Sequence, residues 1–339
     1  MTYQNKNNPF YKGVPSLFVI NAPFQALCCA EAIREFEIEE YEVYILVYEN
    51  EKRLDQIGRI LSHYSIDYKV VPINGYSFIS FLLDCLKHKK RYERVFTGDY
   101  YCVTFTVFAL SRLRFGGNII YMDDGNSTVT IFKDKLMKSK TGFSFKFIKT
   151  LVTVVSFFKK VESGRYFYSV YADIPNSKYI VYRNGLSHLK TIVEANYNTD
   201  ISFFIGTNPT NFCLDYKIKP DEYKKILFDE LSAIKNKTDN CVYIPHGQDH
   251  DSETEVFCKE KGIQYIRPAM CVELFMLENY SNIKELYGLS SSALYSLKLL
   301  YPESQIFNLL IKTADNNPES GVMAQYYHKH GIINKVCVI

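Results

Sequence analysis

The 339 residues carry 40 Lys and Arg against 37 Asp and Glu, a net charge of +3, so no dense basic face marks the chain as a nucleic-acid binder. With 47% apolar residues there is material for two buried cores, at about 100–200 residues per domain. Nine cysteines without CxxC pairs or regular spacing exclude a cysteine zinc site and a secreted disulfide framework, and predict buried thiols in a reducing compartment.

The first thirteen residues, MTYQNKNNPFYKG, hold no apolar signal core. The run 15–21 (PSLFVIN) then reads as a strand buried on both faces and ending in a polar loop. A helix is predicted over 23–36, with Pro in its first turn. The pattern repeats: strand 43–48 (VYILVY), helix 54–64, strand 68–73 (YKVVPI), helix 78–88, strand 94–96, helix 104–113 and strand 118–122 (NIIYM), which runs into Asp123, Asp124 and Gly125. Such alternation implies right-handed βαβ units and a doubly wound parallel sheet.

The rhythm breaks over 134–170. There the stretch 143–160 (FSFKFIKTLVTVVSFFKK) admits two readings: an interfacial helix at the inner membrane face, or a helix packed between domains with its lysines reaching solvent. This segment is also where a homodimer contact could form. No run reaches the about 18–20 apolar residues of a membrane span, so a cytoplasmic protein is expected.

A second α/β stretch follows: strand 201–206 (ISFFIG), helix 221–235, strand 241–245 (CVYIP), helix 253–261, strand 263–267, a helix start at 272–279, a Gly-Leu-Ser-Ser-Ser turn and helix within 286–300, strand 304–310, and helix 324–330. Two domains are expected, residues 1–170 and 171–339, with a cleft between them. The many Tyr and Phe, 28 and 24 with no Trp, suit half-buried strands as well as sugar-binding surfaces.

In open α/β sheets ligands bind at the carboxyl ends of the strands, and the polar clusters at those ends are the candidate site. Asp123 and Asp124 are adjacent carboxylates whose mutual repulsion can raise one into the range of a general base, and Gly125 lets a substrate approach the backbone. The same residues also make an ordinary turn. His246 leaves a strand end able to donate a proton to a phosphate leaving group. His250 with Asp249 or Asp251 is a weaker alternative as a metal pair, because Gly247 argues against the helix that would align two imidazoles. Ser290, Ser291 and Ser292 head a helix, where N–H groups, hydroxyls and the positive helix end suit a phosphate. Neither GxxxxGK[ST] nor GxGxxG is present, so no Walker-type ATP site or dinucleotide fingerprint is expected.

Taken together, these motifs resemble the bacterial sialyltransferases of glycosyltransferase family 52 and their polysialyltransferase relatives. That pattern has an acidic-acidic-glycine turn, a histidine-proline pair and a later serine pair, matched here by Asp123-Asp124-Gly125, His246-Gly247 and the serines 290–292. The opening LFVINAPFQALCCAEAI and the later PAMCVELFML also look like the family. The resemblance implies a GT-B fold of two Rossmann-like domains, CMP-sialic acid as donor, inversion at the anomeric carbon, and no metal or other cofactor. It implies a glycan acceptor such as a galactoside of surface lipooligosaccharide or capsule. Asp124 would be the base and His246 the acid toward the CMP phosphate. Ser290, Ser291 and Ser292 would hold that phosphate, with Gly206, Thr207, Asn208, Gly247 and Glu273 lining the nucleotide pocket. On the acceptor side stand Asn21, Gln25, Asp123, Gly125 and Asn126. Gly247 replaces the pattern's proline, which predicts a freer loop, and Asp215 is the rival base. A transferase using CMP-Kdo or a UDP-sugar, and a non-catalytic membrane-associated scaffold, are the alternatives.

Overall fold

The central apolar runs are strands buried on both faces, with more exposed strands at the edges, and they build two separate parallel sheets. The computed structural model describes residues 9–47, 50–73, 90–100, 102–123, 125–132, 166–173, 178–191, 198–249, 251–311 and 318–337. Outside these lie the expected helix 78–88, the segment 143–160, Asp124 and His250.

The chain divides into two compact units, Met1–His188 and Leu189–Ile339. The first contains β1 (Ser16–Ile20), α1 (Pro23–Glu35), β2 (Tyr41–Val47), α2 (Glu51–His63), β3 (Lys69–Pro72), β4 (Tyr92–Thr97), α3 (Val103–Arg112), β5 (Leu113–Met122), α4 (Asn126–Phe132), β6 (Tyr166–Ser169) and β7 (Ile180–Arg183), and the short α5 (Ser187–Lys190) spans the boundary. Its strands lie in the order β3-β2-β1-β4-β5-β6-β7, every pair parallel. All five residues of β1 are buried, and each such Leu, Val, Ile or Phe is worth about 1.5–3 kcal/mol relative to exposure. Phe18 stacks on Phe96 of β4 with ring centroids 4.7 Å apart, and Phe36 joins them at 5.9 Å. Pro23 begins α1 where its missing N–H costs nothing, and the Asn50 side chain caps α2 by accepting from Arg53 N at 3.0 Å.

The boundary falls later than the expected residue 170. The strands β6 and β7 are only four residues each, yet β7 pairs in parallel with β6 and β6 with β5. Both therefore belong to the first sheet.

The second unit contains β8 (Asn198–Ile205), α6 (Pro209–Tyr216), α7 (Pro220–Lys235), β9 (Cys241–Ile244), α8 (Ser252–Glu260), β10 (Gln264–Tyr265), α9 (Val272–Asn279), β11 (Asn282–Leu289), α10 (Ala293–Leu300), β12 (Gln305–Ile311), α11 (Pro318–Lys329) and β13 (Ile333–Cys337). Its order is β10-β9-β8-β11-β12-β13, again parallel throughout. Phe204, Leu227, Tyr243 and Leu309 sit at the centre of its core.

The expected turn and helix over 286–300 hide a central strand, since β11 pairs with both β8 and β12. Glu285 masks it, as a charge seldom sits inside a parallel sheet. Its carboxylate is satisfied by two hydroxyls, Ser202 of β8 at 3.2 Å and Tyr287 at 2.8 Å. Counted within each unit, the six leading strands follow the Rossmann order 3-2-1-4-5-6. The chain order reverses between β1 and β4 in the first sheet and between β8 and β11 in the second. Among the described residues, no helix is long and apolar enough to cross a membrane, and the described cysteines are free thiols.

Candidate active site

In the second unit, the loops leaving three neighbouring strands, β9, β8 and β11, carry His246, Gly206 and Ser290. Strands about 4.8 Å apart therefore set these loops side by side at the reversal point. Gly206 is what lets two of them meet. Its N–H donates to the Ile244 carbonyl at 2.8 Å, and a Cβ there would lie 2.8 Å from the Tyr243 hydroxyl and 2.9 Å from the His246 backbone nitrogen. Thr207 follows, half-buried. The Asn208 Oδ1 caps α6 by accepting from Asn211 N at 3.1 Å, while its Nδ2 donates to Gln248 Oε1 at 2.6 Å.

His246 is half-buried, and its Nδ1 accepts from the Gln248 backbone N–H at 3.1 Å. That bond fixes the tautomer: in the neutral ring the proton sits on Nε2. The loop is not free, although Gly247 stands where a proline was expected. Asp249 N–H donates to the His246 carbonyl at 2.8 Å. The buried Asp249 carboxylate accepts from Asp251 N at 3.0 Å, and Arg267 donates to the Asp249 carbonyl at 2.6 Å. Hydrogen bonds do here what a proline ring would do covalently. Gly247 itself is exposed. Among the described residues, no group of three or more His, Cys, Asp and Glu side chains is gathered.

Ser290 opens the third loop in the left-handed region, φ 50°, which non-glycine residues seldom occupy. Three elements hold this turn. Tyr216 of α6 shares a hydrogen bond of 2.6 Å with the Ser290 hydroxyl. Asn308 of β12 accepts from Ser290 N–H at 3.2 Å. Tyr327 of α11 donates to the Ser291 carbonyl at 2.9 Å. The Ser292 side chain is not spent on capping α10. Among the described residues, the N–H groups of Ser291, Ser292 and Ala293 meet no protein acceptor. Three unclaimed donors at the positive end of a helix have the chemistry that suits an anion.

Glu273 lies in the first turn of α9, 5% exposed. Ser296 of α10 donates to it at 2.6 Å, so the carboxyl ties the two helices together. Desolvation pushes that carboxyl above its ordinary range. Asp215, the rival base, is exposed near the end of α6, its carboxyl also raised by desolvation.

In the first unit, Gln25 is fully buried, its Oε1 accepting from Asn21 N at 2.9 Å and its Nε2 donating to the Gly98 carbonyl at 2.7 Å. This amide latches the ends of β1 and β4 together, so its position is structural. Asn21 borders a small recess that Val47, Arg53, Leu54 and Ile57 also line. Asp123, fully buried, accepts from the Ser169 hydroxyl at 2.5 Å and from Val170 N–H at 2.8 Å. Its carboxylate thus joins the end of β5 to that of β6. Gly125 is left-handed, φ 59°, and Asn126 starts α4. Tyr216, Gln248, Asn308, Asn334 and Tyr327 were not among the expected site residues. A polar residue within an otherwise apolar strand, as in QIFNLLI, is the signal that would have found Asn308.

Two Rossmann units in tandem define the GT-B fold. The chain is similar to the α/β-galactoside α-2,3-sialyltransferase of the luminous marine bacterium Photobacterium phosphoreum, with a TM-score of 0.56 at 11% identity over 95% of this chain and 98% of that one. It is also similar to a UDP-N-acetylglucosamine 2-epimerase, with a TM-score of 0.51 at 13% identity over 92% and 82% of the two chains. At these identities the likeness is one of fold, and it does not single out glycosyltransferase family 52. No protein-family model matches the chain, and no curated protein matches it.

Proposed function

We propose that the chain is an inverting sialyltransferase that moves sialic acid from CMP-sialic acid to a hydroxyl of a glycan acceptor such as a galactoside. The observation that carries this reading is the set of unclaimed N–H groups of Ser291, Ser292 and Ala293 at the reversal point of the second sheet. On the same sheet edge His246 holds its ring proton on Nε2. A CMP donor leaves as a phosphate monoester, and these groups offset that charge with a helix end and an imidazole, so the reaction needs no divalent cation.

The acceptor oxygen attacks the anomeric carbon, the bond from that carbon to the phosphate oxygen breaks, and CMP departs toward the α10 terminus. The proton of the acceptor hydroxyl passes to a carboxylate, for which we propose Asp124. Its neighbour Asp123 is already committed to Ser169 and Val170. Asp215 is the second candidate. Thr207, Asn208, Gly247 and Glu273 are proposed to line the nucleotide side, with Asn21 and Asn126 on the acceptor side.

Thermal unfolding with CMP, UDP and GDP tests the donor. Stabilisation by CMP alone is expected, and stabilisation by UDP alone sinks the reading in favour of a UDP-sugar enzyme. Incubation with CMP-sialic acid and a panel of galactosides, with and without EDTA, should give a sialylated product by mass spectrometry in both conditions. Asp124→Ala should lose at least 100-fold in turnover while retaining CMP binding. Full activity there moves the base to Asp215 or elsewhere.

A further inference from the structure

The turn at Ser290 is set from behind by a chain of side-chain amides. In the ladder, Asn308 of β12 sits beside Gly288 of β11 and Asn334 of β13. Asn308 is 1% exposed inside a strand that is otherwise apolar or edge-facing. Its Oδ1 accepts from Ser290 N–H, its Nδ2 donates to Asn334 Oδ1 at 2.9 Å, and Asn334 Nδ2 donates to the Ala324 carbonyl of α11 at 2.7 Å. Each bond fixes the orientation of the next amide, because a backbone N–H at one end and a backbone carbonyl at the other leave one consistent direction. An amide buried at this depth is costly unless every group is engaged. A Leu, branched at the same carbon though bulkier, would carry no such requirement.

We infer that Asn308, oriented by Asn334, is a positioning residue for the phosphate site. It holds Ser290 left-handed and so aims the N–H groups of Ser291 and Ser292 at the ligand. The physical reason is the backbone. Serine has no preference for φ 50°, and without an acceptor in place its N–H turns to find another partner. That rotation swings the following peptide planes, which carry the donors. The inference rests on the proposed nucleotide site and names one device within it.

A double-mutant cycle on the full chain tests it, with CMP affinity measured by calorimetry and fold integrity by thermal unfolding. Asn308→Leu is expected to weaken CMP binding about tenfold or more in the Ser290 background. In a Ser290→Gly background the same change should cost less than about threefold, because glycine adopts a positive φ without help. Should Asn308→Leu fail to fold, Asn334→Ala, at a half-buried position, serves in its place and should weaken CMP binding about threefold to fivefold. Equal losses in the two backgrounds, or unchanged affinity in the variants that fold, overturn the inference alone. Failure of the unaltered protein to bind CMP, UDP or GDP overturns the nucleotide site and the inference with it.

Discussion

A methyl group on Gly206 would approach the His246 nitrogen to 2.9 Å and the Pro245 Cα to 3.1 Å, and backbone atoms cannot swing aside as a flexible side chain can. Gly206→Ala should cost about 1–3 kcal/mol through overpacking, lowering the midpoint of thermal unfolding by a few degrees. It should also weaken CMP binding by displacing the His246 loop, and calorimetry reads that second effect separately. Glu273 gives a pH-dependent prediction. Its folded pKa is raised by desolvation above the about 4.3 of an unfolded glutamate. The buried protonated form therefore contributes stability that is fully present below the unfolded value and lost as pH rises through the folded one. Glu273→Gln mimics the protonated form and keeps an acceptor for Ser296. Its unfolding midpoint should exceed that of the unaltered protein at pH 7, with the gap closing toward pH 4. At this scale the sequence located strand-end residues well but could not rank them. Asp123 and Gln25 occupy the expected places, yet their polar atoms are spent on Ser169, Val170, Asn21 and Gly98.

Elements differ in how openly their residues declare them. The opening β1 reads directly from four buried apolar residues that follow Ser16, whereas α6, capped and started by an Asn-Pro pair, was not among the expected helices. Asn208→Ala removes that cap and the bridge to Gln248 together, at about 0.5–2 kcal/mol, which a shift of a few degrees in thermal unfolding would register. Arg94 of β4 is the opposite case, a guanidinium 2% exposed that serves the segment before β1. It donates to the Ser16 hydroxyl at 2.9 Å and to the carbonyls of Pro9 and Tyr11 at 2.9 and 2.8 Å, with the faces of Phe36 and Phe96 alongside. Desolvation lowers its pKa to about 10, so it stays charged at neutral pH. Arg94→Met would orphan those carbonyls, with an expected loss of about 2–4 kcal/mol and faster proteolysis of residues 9–16. The expected strand 94–96 included Arg94 but not its burial, and Glu285 hid its strand altogether, because each charge is tolerated there only through partners outside its own strand or beside it.

The whole chain is two units with a sheet each, and the predicted response to ligand differs between them. Hydrogen exchange of the full chain with CMP should show new protection at 206–208, 246–248 and 290–293, and little change in β1, β2 or β3. Protection confined to the first unit would place the nucleotide on the other sheet. The alternation of buried runs and amphipathic helices was enough, by itself, to determine two parallel α/β domains and the polar residues at their strand ends. Burial and periodicity are local properties, written within a dozen residues of chain. Only the tertiary structure decided that β7 closes the first sheet, that β11 lies at the centre of the second, and that Asn308, Tyr216 and Tyr327 converge on one serine turn. Those outcomes depend on pairings between residues far apart in the chain, Ser202 with Glu285 and Tyr216 with Ser290 among them, where an isolated asparagine or tyrosine carries no mark of the partner it will meet.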